Sequence, residues 1–87
     1  MDLYKIIGYT IRNIRLQKDL SQIKVSSTSG TNHSYYCEIE RGCANPSIKK
    51  LYAILLALGV SPLEFIEAVS SVVHGIDPEP DTEGTGK

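Results

Sequence analysis

The sequence predicts a single all-α domain of five helices. Apolar residues recur at the three- and four-residue spacing of helices, and helix-starting or helix-stopping residues flank these runs. The 87 residues accommodate one small hydrophobic core. With 41% hydrophobic and 22% charged residues, the composition is that of an ordinary globular protein. We therefore expect one folded domain over residues 1–74, followed by a tail.

The first helix is predicted over roughly 3–18. Ile7, Ile11 and Ile14 fall at i, i+4 and i+7, so that one face of the helix is apolar. Basic residues gather toward its end, where the helix dipole favours cations. Asp19 then stands where glycine usually ends a helix, and it is a tolerable left-handed cap.

The middle of the chain predicts two short helices joined by a turn. By composition alone the serine-rich segment 26–32 is typical of a loop. Ser21 is nevertheless a good N-cap for a second helix, and Asn32 is one for a third helix over 32–40. Gly30 lies between them, where a short turn would join two helices at a steep angle. Helix, glycine turn and helix is the consistent interpretation.

The fourth and fifth helices are each predicted to begin at a short segment that contains a proline. The fourth is predicted over about 46–58, because Pro46 suits a first helical turn that needs no amide donor. The fifth is predicted over about 62–74, because Ser61 and the glutamate three residues later match a capping box. Both carry apolar residues at helical spacing.

The charge of the chain is unevenly distributed. Residues 1–60 carry eight lysines and arginines against four acids, whereas residues 61–87 carry six acids and one lysine. The net charge of −1 therefore conceals a mildly basic body, which is compatible with a nucleic-acid-binding face. Residues 75–87 have two prolines, three glycines, four acids and one apolar residue, and we predict a disordered acidic tail.

The sequence predicts neither a membrane segment nor a secretion signal. No apolar run approaches the ~18–20 residues that a bilayer span needs, and the amino terminus lacks the apolar centre of a signal peptide. We therefore expect a cytoplasmic protein that has no membrane partner.

Residues that carry catalytic or metal chemistry are few. The sequence has no paired carboxylates, triad or phosphate-binding loop, so we predict no catalytic residues, no enzymatic activity and no cofactor. Cys37 and Cys43 are interpreted as reduced thiols. A zinc site formed by these cysteines and His33 is an alternative, but no fourth ligand is evident, and we predict no metal.

Six short motifs follow one another along the chain, and the first four keep the spacing of the family pattern named below, with no insertion or deletion. They are Leu20-Ser21-Gln22, Gly30, Ser34-Tyr35, Ile39-Glu40-Arg41-Gly42, Asn45-Pro46-Ser47 and Leu58-Gly59-Val60-Ser61-Pro62. Each is weak alone, but in combination they resemble the lambda repressor and Cro-like helix-turn-helix family of transcriptional regulators. The resemblance covers about residues 7–67.

The resemblance implies a lambda-repressor-like fold in which helices 2 and 3 form the helix-turn-helix and helix 3 enters the DNA major groove. It implies a sequence-specific regulator that binds double-stranded DNA and acts as a repressor or autoregulator. Restriction-system controllers, small phage repressors and antitoxins share this layout, and the residues do not choose among them. The alternative is a protein-interaction module of the same fold with weak or no DNA binding.

The resemblance also implies which residues meet DNA. By position, the DNA-facing and phosphate-holding residues are Gln22, Asn32, His33, Ser34, Tyr35, Cys37, Glu38, Arg41 and Lys49. Arg15 and Glu40 correspond to the structural ion pair of the family. An alternative role for Tyr35 and Tyr36 is a stacking platform for single-stranded bases, whereas the favoured interpretation turns Tyr36 inward.

Three residues depart from the family pattern around the turn. Ser26 replaces the usual alanine, Ser29 a large apolar residue, and Thr31 a valine or isoleucine. Each change loses apolar burial or buries a hydroxyl that must find a partner. We therefore expect the second helix to be the least stable of the five.

The last helix carries more apolar surface than closing a four-helix core requires. We predict a twofold homodimer through it, and the expected interface residues are Phe65, Ile66, Val69, Val72 and Val73. Such a dimer would bind an operator with two half-sites about one helical turn, ~34 Å, apart. The alternative is that this apolar strip covers the core of its own chain.

Overall fold

The computed structural model describes residues 2–76, and five α-helices account for most of them. The helices are α1 (Leu3–Gln17), α2 (Gln22–Thr28), α3 (His33–Glu40), α4 (Ile48–Leu58) and α5 (Pro62–Ile76). No strand occurs within this part of the chain. The predicted all-α class with five helices is thus confirmed.

Two of the predicted helix boundaries are wrong. Helix α4 begins at Ile48 rather than at 46, because the Ser47 hydroxyl caps the helix by accepting a hydrogen bond from the backbone N–H of Lys50 at 3.0 Å. Helix α5 runs to Ile76 rather than to 74, so the first two residues assigned to the tail are helical. The remainder of the predicted tail, 77–87, lies outside the described residues.

The other predicted caps are present. Ser21 and Asn32 each accept a hydrogen bond from the backbone N–H three residues later, at 3.0 Å in both cases. Ser61 and Glu64 form the complete capping box, in which each backbone N–H donates to the other side chain at 2.8 and 3.1 Å. Asp19 adopts a left-handed φ of 57° after α1. These contacts fix where the helices start and stop.

The serine-rich segment 26–32 forms the last turn of α2, which ends at Thr28, and the turn that follows, and its hydroxyl groups bond to one another and to the backbone. The Ser26 hydroxyl donates to the carbonyl of Ile23 at 3.1 Å, and the Ser29 hydroxyl donates to the carbonyl of Ser26 at 3.2 Å. The hydroxyl oxygens of Ser29 and Thr31 lie 2.7 Å apart across the turn. The buried Ser26 and Thr31 hydroxyls therefore have partners, which avoids the cost of unpaired polar groups.

The core lies where all five helices meet. Helix α1 packs on α3 and α5, α2 packs on α3 and α4, and α4 packs on α5. The core consists of buried apolar side chains from every helix, namely Ile11, Ile14, Val25, Tyr36, Ile39, Ile54, Leu55, Leu58 and Phe65. No single helix in residues 2–76 is long and apolar enough to cross a membrane; only α4 and α5 together, bent by 95°, have the required length and composition.

Helix α1 approaches the end of α3 so closely that only glycine fits at the crossing. A Cβ atom at Gly8 would overlap the backbone carbonyl oxygens of Ile39 and Glu40. Backbone atoms yield less readily than a flexible side chain, so the overlap would force the two helices apart. Gly8 therefore sets the distance between α1 and the end of α3.

We predict that Gly8→Ala lowers the free energy of unfolding by about 2–3 kcal/mol, because the added methyl group displaces packed backbone. The matched control is Gly75→Ala, where nothing lies within 4 Å of the added Cβ and alanine is the better helix former. Urea denaturation of both variants measures the difference. Equal stabilities for the two variants would contradict this account of the crossing.

Candidate nucleic-acid interface

Helix α3 has one buried face and one exposed face. Tyr36 and Ile39 are 0% and 1% exposed and belong to the core. His33, Ser34 and Glu38 lie on the exposed part of the helix surface. Because the core fixes the rotation of the helix about its axis, the exposed side chains hold defined positions at the protein surface.

The other predicted DNA-contacting residues surround this exposed face to different degrees. Asn32, Arg41 and Lys49 are exposed. Cys37 is half-buried, and Tyr35 is a half-buried residue that packs against the core. The structure therefore leaves all five side chains at least partly accessible.

Gln22 is bonded within the protein at both ends of its amide group. Its Nε2 donates to Glu40 Oε1 at 3.1 Å, and its Oε1 accepts a hydrogen bond from Cys37 Sγ at 3.6 Å. An amide nitrogen has two hydrogens, so one N–H remains for an external acceptor. The side chain that was predicted to contact DNA is thus held in position by α3.

Arg15 and Glu40 form a buried, two-point ion pair between α1 and the end of α3. Arg15 Nε lies 2.6 Å from Glu40 Oε2, and Arg15 Nη2 donates to Glu40 Oε1 at 3.2 Å. The remaining guanidinium nitrogen, Nη1, donates to the carbonyl of Leu20, just before α2. One side chain thereby links α1, the start of α2 and the end of α3.

Tyr36 completes this buried polar cluster. Its ring lies in the core, which confirms the favoured inward orientation. Its hydroxyl donates to Glu40 Oε2 at 2.6 Å and so contacts the ion pair. Burial and the bond to Glu40 raise the pKa of the Tyr36 hydroxyl. Burial also acts to raise the pKa of Glu40, but hydrogen bonds from Arg15, Tyr36 and Gln22 outweigh it and hold that pKa below its ordinary value.

Two contacts at the turn were not predicted from the sequence. Lys50 Nζ donates to the carbonyl of Gly30 at 3.3 Å, which ties α4 to the turn. Ser26 Oγ lies 3.4 Å from His33 Nδ1, which ties α2 to the exposed face of α3. In the sequence, Ser26 is distinguished only as a departure from the family pattern, and no local pattern around Lys50 indicates a contact with the turn.

The residues of the alternative zinc site do not come together as a ligand set. Cys37 Sγ and His33 Nε2 are 3.7 Å apart, whereas Cys43 Sγ contacts the carbonyl of Arg41 instead. Within residues 2–76, no group of three or more His, Cys, Asp and Glu side chains is arranged to hold a metal ion.

Comparison with known proteins shows which family the chain belongs to. A helix-turn-helix family model matches residues 11–65, which is more than half of the chain. The chain belongs to this helix-turn-helix family. The predicted relationship is therefore confirmed, and the family is one of transcriptional regulators rather than of enzymes.

Curated helix-turn-helix relatives support the same assignment. The chain is 35% identical over 75 residues to an uncharacterized HTH-type transcriptional regulator, y4dJ, of Sinorhizobium fredii, covering 86% of this chain and 97% of that protein. It is also 35% identical over 63 residues to the control protein C.BamHI of Bacillus amyloliquefaciens, covering 71% and 78%. These relatives favour a regulator over the alternative of a protein-interaction module.

Solved helix-turn-helix structures share the fold. A single-residue mutant of the restriction-modification controller protein C.Esp1396I superposes with a TM-score of 0.84 at 28% identity, covering 88% of this chain and 98% of the other. The C.Esp1396I tetramer bound to its natural 35 base-pair operator gives a TM-score of 0.80 at 30% identity, covering 84% and 96%. The lambda-repressor-like fold class is confirmed.

The expected dimer surface of this helix-turn-helix protein needs correction. Phe65 is 6% exposed and belongs to the chain's own core, so it offers a partner only the small part of its surface that lines the apolar groove between α4 and α5. Val69, Val72 and Val73 are half-buried, with α5 packed along α1. Ile66, at 63% exposure, is the one member of the predicted set that is largely accessible.

We predict that Arg15→Ala lowers the free energy of unfolding by about 3–5 kcal/mol, because it leaves the Glu40 carboxylate buried without its charged partner. The operator preference of the folded fraction should not change. Arg12→Ala removes an exposed arginine from the same helix and is the matched control, with a change within about 0.5 kcal/mol. Urea titrations of both variants compare the two losses. A loss for Arg15→Ala as small as that of the control would contradict the structural role.

Proposed function

We propose that this chain is a sequence-specific regulator of transcription that binds double-stranded DNA as a homodimer, with α3 in the major groove. The observation that carries the proposal is the division of α3 into a face fixed in the core and a face that presents polar side chains to solvent. The B-DNA major groove, about 12 Å wide, admits such a helix. The expected consequence is repression or autoregulation.

Three exposed side chains of α3 and its cap supply direct readout. Asn32 and Ser34 can donate to and accept from base edges, whereas the Glu38 carboxylate only accepts, which suits the amino group of cytosine. Because Glu38 also repels phosphates, the protein should require a close match at this position. Cys37 and His33 lie beside them on the same surface.

Phosphate contacts would position the helix without reading sequence. Arg41 and Lys49 are exposed cations at the end of α3 and the start of α4. Gln22 offers its remaining N–H, and Tyr35 offers its hydroxyl from a ring that rests against the core. Contacts of this kind make the affinity strongly dependent on salt.

We place the homodimer interface on α5 together with α4. An apolar groove of about 330 Å³ runs between these helices, and Ile66 borders it beside Ile48 and Tyr52. Ile48 is 85% exposed and Tyr52 is 49% exposed, so this part of the surface is accessible and apolar. A twofold dimer would place two copies of α3 on half-sites about one helical turn apart.

The remaining functional expectations follow from this role. A regulator of this kind acts on DNA and needs no catalytic group, so we infer that it is not an enzyme. We infer a cytoplasmic location, because that is where the DNA of a bacterial or phage regulator lies. Because α5 runs to Ile76, residues 1–76 would form the DNA-binding and dimerisation unit, and residues 77–87 an acidic tail.

We predict that Ser34→Ala and Glu38→Ala change the preferred operator sequence and leave thermal stability within experimental error, because both side chains are exposed. Selection from random oligonucleotides, followed by sequencing, measures the preference. Glu67→Ala, which removes an exposed acid from α5, is the matched control and should select the wild-type operator. Identical operators for all four proteins, or DNA binding that does not weaken with salt, would refute the proposal.

We predict that Ile66→Glu converts the dimer to a monomer, since the charge would lie in the apolar interface. Leu16→Glu introduces the same charge at a comparably exposed apolar residue of α1 and should leave the dimer intact. Sedimentation velocity at micromolar concentration distinguishes the two species. A dimeric Ile66→Glu protein, or a monomeric Leu16→Glu protein, would place the interface elsewhere.

A further inference from the structure

The two ring nitrogens of His33 have different neighbours. Nδ1 lies 3.4 Å from the hydroxyl oxygen of Ser26 on α2, and Nε2 lies 3.7 Å from Cys37 Sγ, one turn along α3. A neutral imidazole carries one hydrogen, so one nitrogen donates and the other accepts. The groups around the ring decide which nitrogen is the donor.

Ser26 decides which ring nitrogen of His33 carries the hydrogen, because its own hydroxyl group has a single hydrogen to donate. That hydrogen donates to the carbonyl of Ile23 at 3.1 Å, a shorter contact than the 3.4 Å to the imidazole. The hydroxyl oxygen is therefore left to accept, and only a hydrogen on His33 Nδ1 satisfies it. Ser26 is 3% exposed, so water does not take over this role.

Cys37 leaves the other ring nitrogen available. Its thiol hydrogen donates to Gln22 Oε1 at 3.6 Å, so toward His33 Nε2, 3.7 Å away, the sulfur can only accept. Sulfur is a weak acceptor, so it competes poorly with the Ser26 oxygen for the ring hydrogen, and a base amino group that approaches Nε2 displaces it readily. With Nδ1 protonated, the exposed ring offers a lone pair at Nε2.

We propose that Ser26 sets the tautomer of His33 and thereby the class of base that His33 reads. The Nδ1–H tautomer presents an acceptor, which pairs with the amino groups of adenine N6 or cytosine N4 in the major groove. Guanine and thymine offer only acceptors at the corresponding edges, and they are disfavoured. Ser26 is the positioning residue, and His33 is the reading residue. This inference rests on the proposed DNA-binding function.

The tautomer is measured first, on the free protein. Long-range ¹H–¹⁵N correlation spectra at pH 8, where histidine is ordinarily neutral, distinguish a protonated Nδ1 from a protonated Nε2. The wild type should show the Nδ1–H tautomer for His33. Ser26→Ala, which introduces the residue usual in the family, should lose that preference and remain folded.

Two control variants separate the Ser26 hydroxyl from other effects on the spectrum. Ser27→Ala removes an exposed hydroxyl from the same helix, and Cys37→Ala removes the neighbour of Nε2. Both proteins should keep His33 in the Nδ1–H form. An Nε2–H tautomer in the wild type, or an unchanged tautomer in Ser26→Ala, would overturn the assignment.

The consequence for DNA is measured by oligonucleotide selection with wild type, Ser26→Ala and Ser27→Ala. At one operator position, wild type and Ser27→Ala should prefer adenine or cytosine over guanine by about fivefold, the worth of one hydrogen bond. Ser26→Ala should lose this preference at that position alone. A wild-type preference for guanine there, or the same preference in all three proteins, would overturn the reading role of His33.

DNA retention tests the proposed function, whereas the spectra of the free protein test the role of Ser26 independently. If none of the three proteins retains DNA, the proposed function is refuted, while the spectra of the free protein still decide whether Ser26 sets the tautomer. If DNA is bound with the selectivity of Glu38 and Ser34 but without any dependence on Ser26, only the present inference fails.

Discussion

The buried ion pair between Arg15 and Glu40 is the constraint on which the rest of the structure depends. It joins α1 to the last residue of α3, and through Leu20 it also holds the start of α2. Charges in a low-dielectric environment require nearly complete pairing, and the Tyr36 hydroxyl supplies a further donor. Because Gly8 brings the backbones of α1 and α3 into contact at the same place, α3 has little freedom to tilt.

The same cluster extends outward to the surface that is expected to meet DNA. Gln22 contacts Glu40 with one end of its amide and Cys37 with the other, so the buried carboxylate and the exposed face of α3 are linked by hydrogen bonds. Ser26 makes a second link, from α2 to His33. Positions that appear independent in the sequence are therefore coupled, and the geometry of the exposed face follows from the arrangement of buried polar groups.

Much of the fold was predictable because its signals are local. Apolar spacing, caps such as Ser61 and left-handed residues such as Asp19 each act within one helical turn, and all were found in the sequence. The start of α4 was misplaced because proline and serine both suit a helix start, and only the capping bond chooses between them. The dimer surface was misjudged because spacing identifies an apolar face without showing that Phe65 fills the core of its own chain.

On DNA binding, the exposed face of α3 is expected to meet the operator while the buried cluster keeps its position. Titrating the ¹⁵N-labelled protein with its selected operator and recording backbone amide shifts tests this most directly. We expect the largest changes in α3 from His33 to Glu38 and at the start of α2, with the Arg15 and Glu40 signals retained. Changes confined to α1 and α5, or loss of the α2 signals on binding, would contradict it.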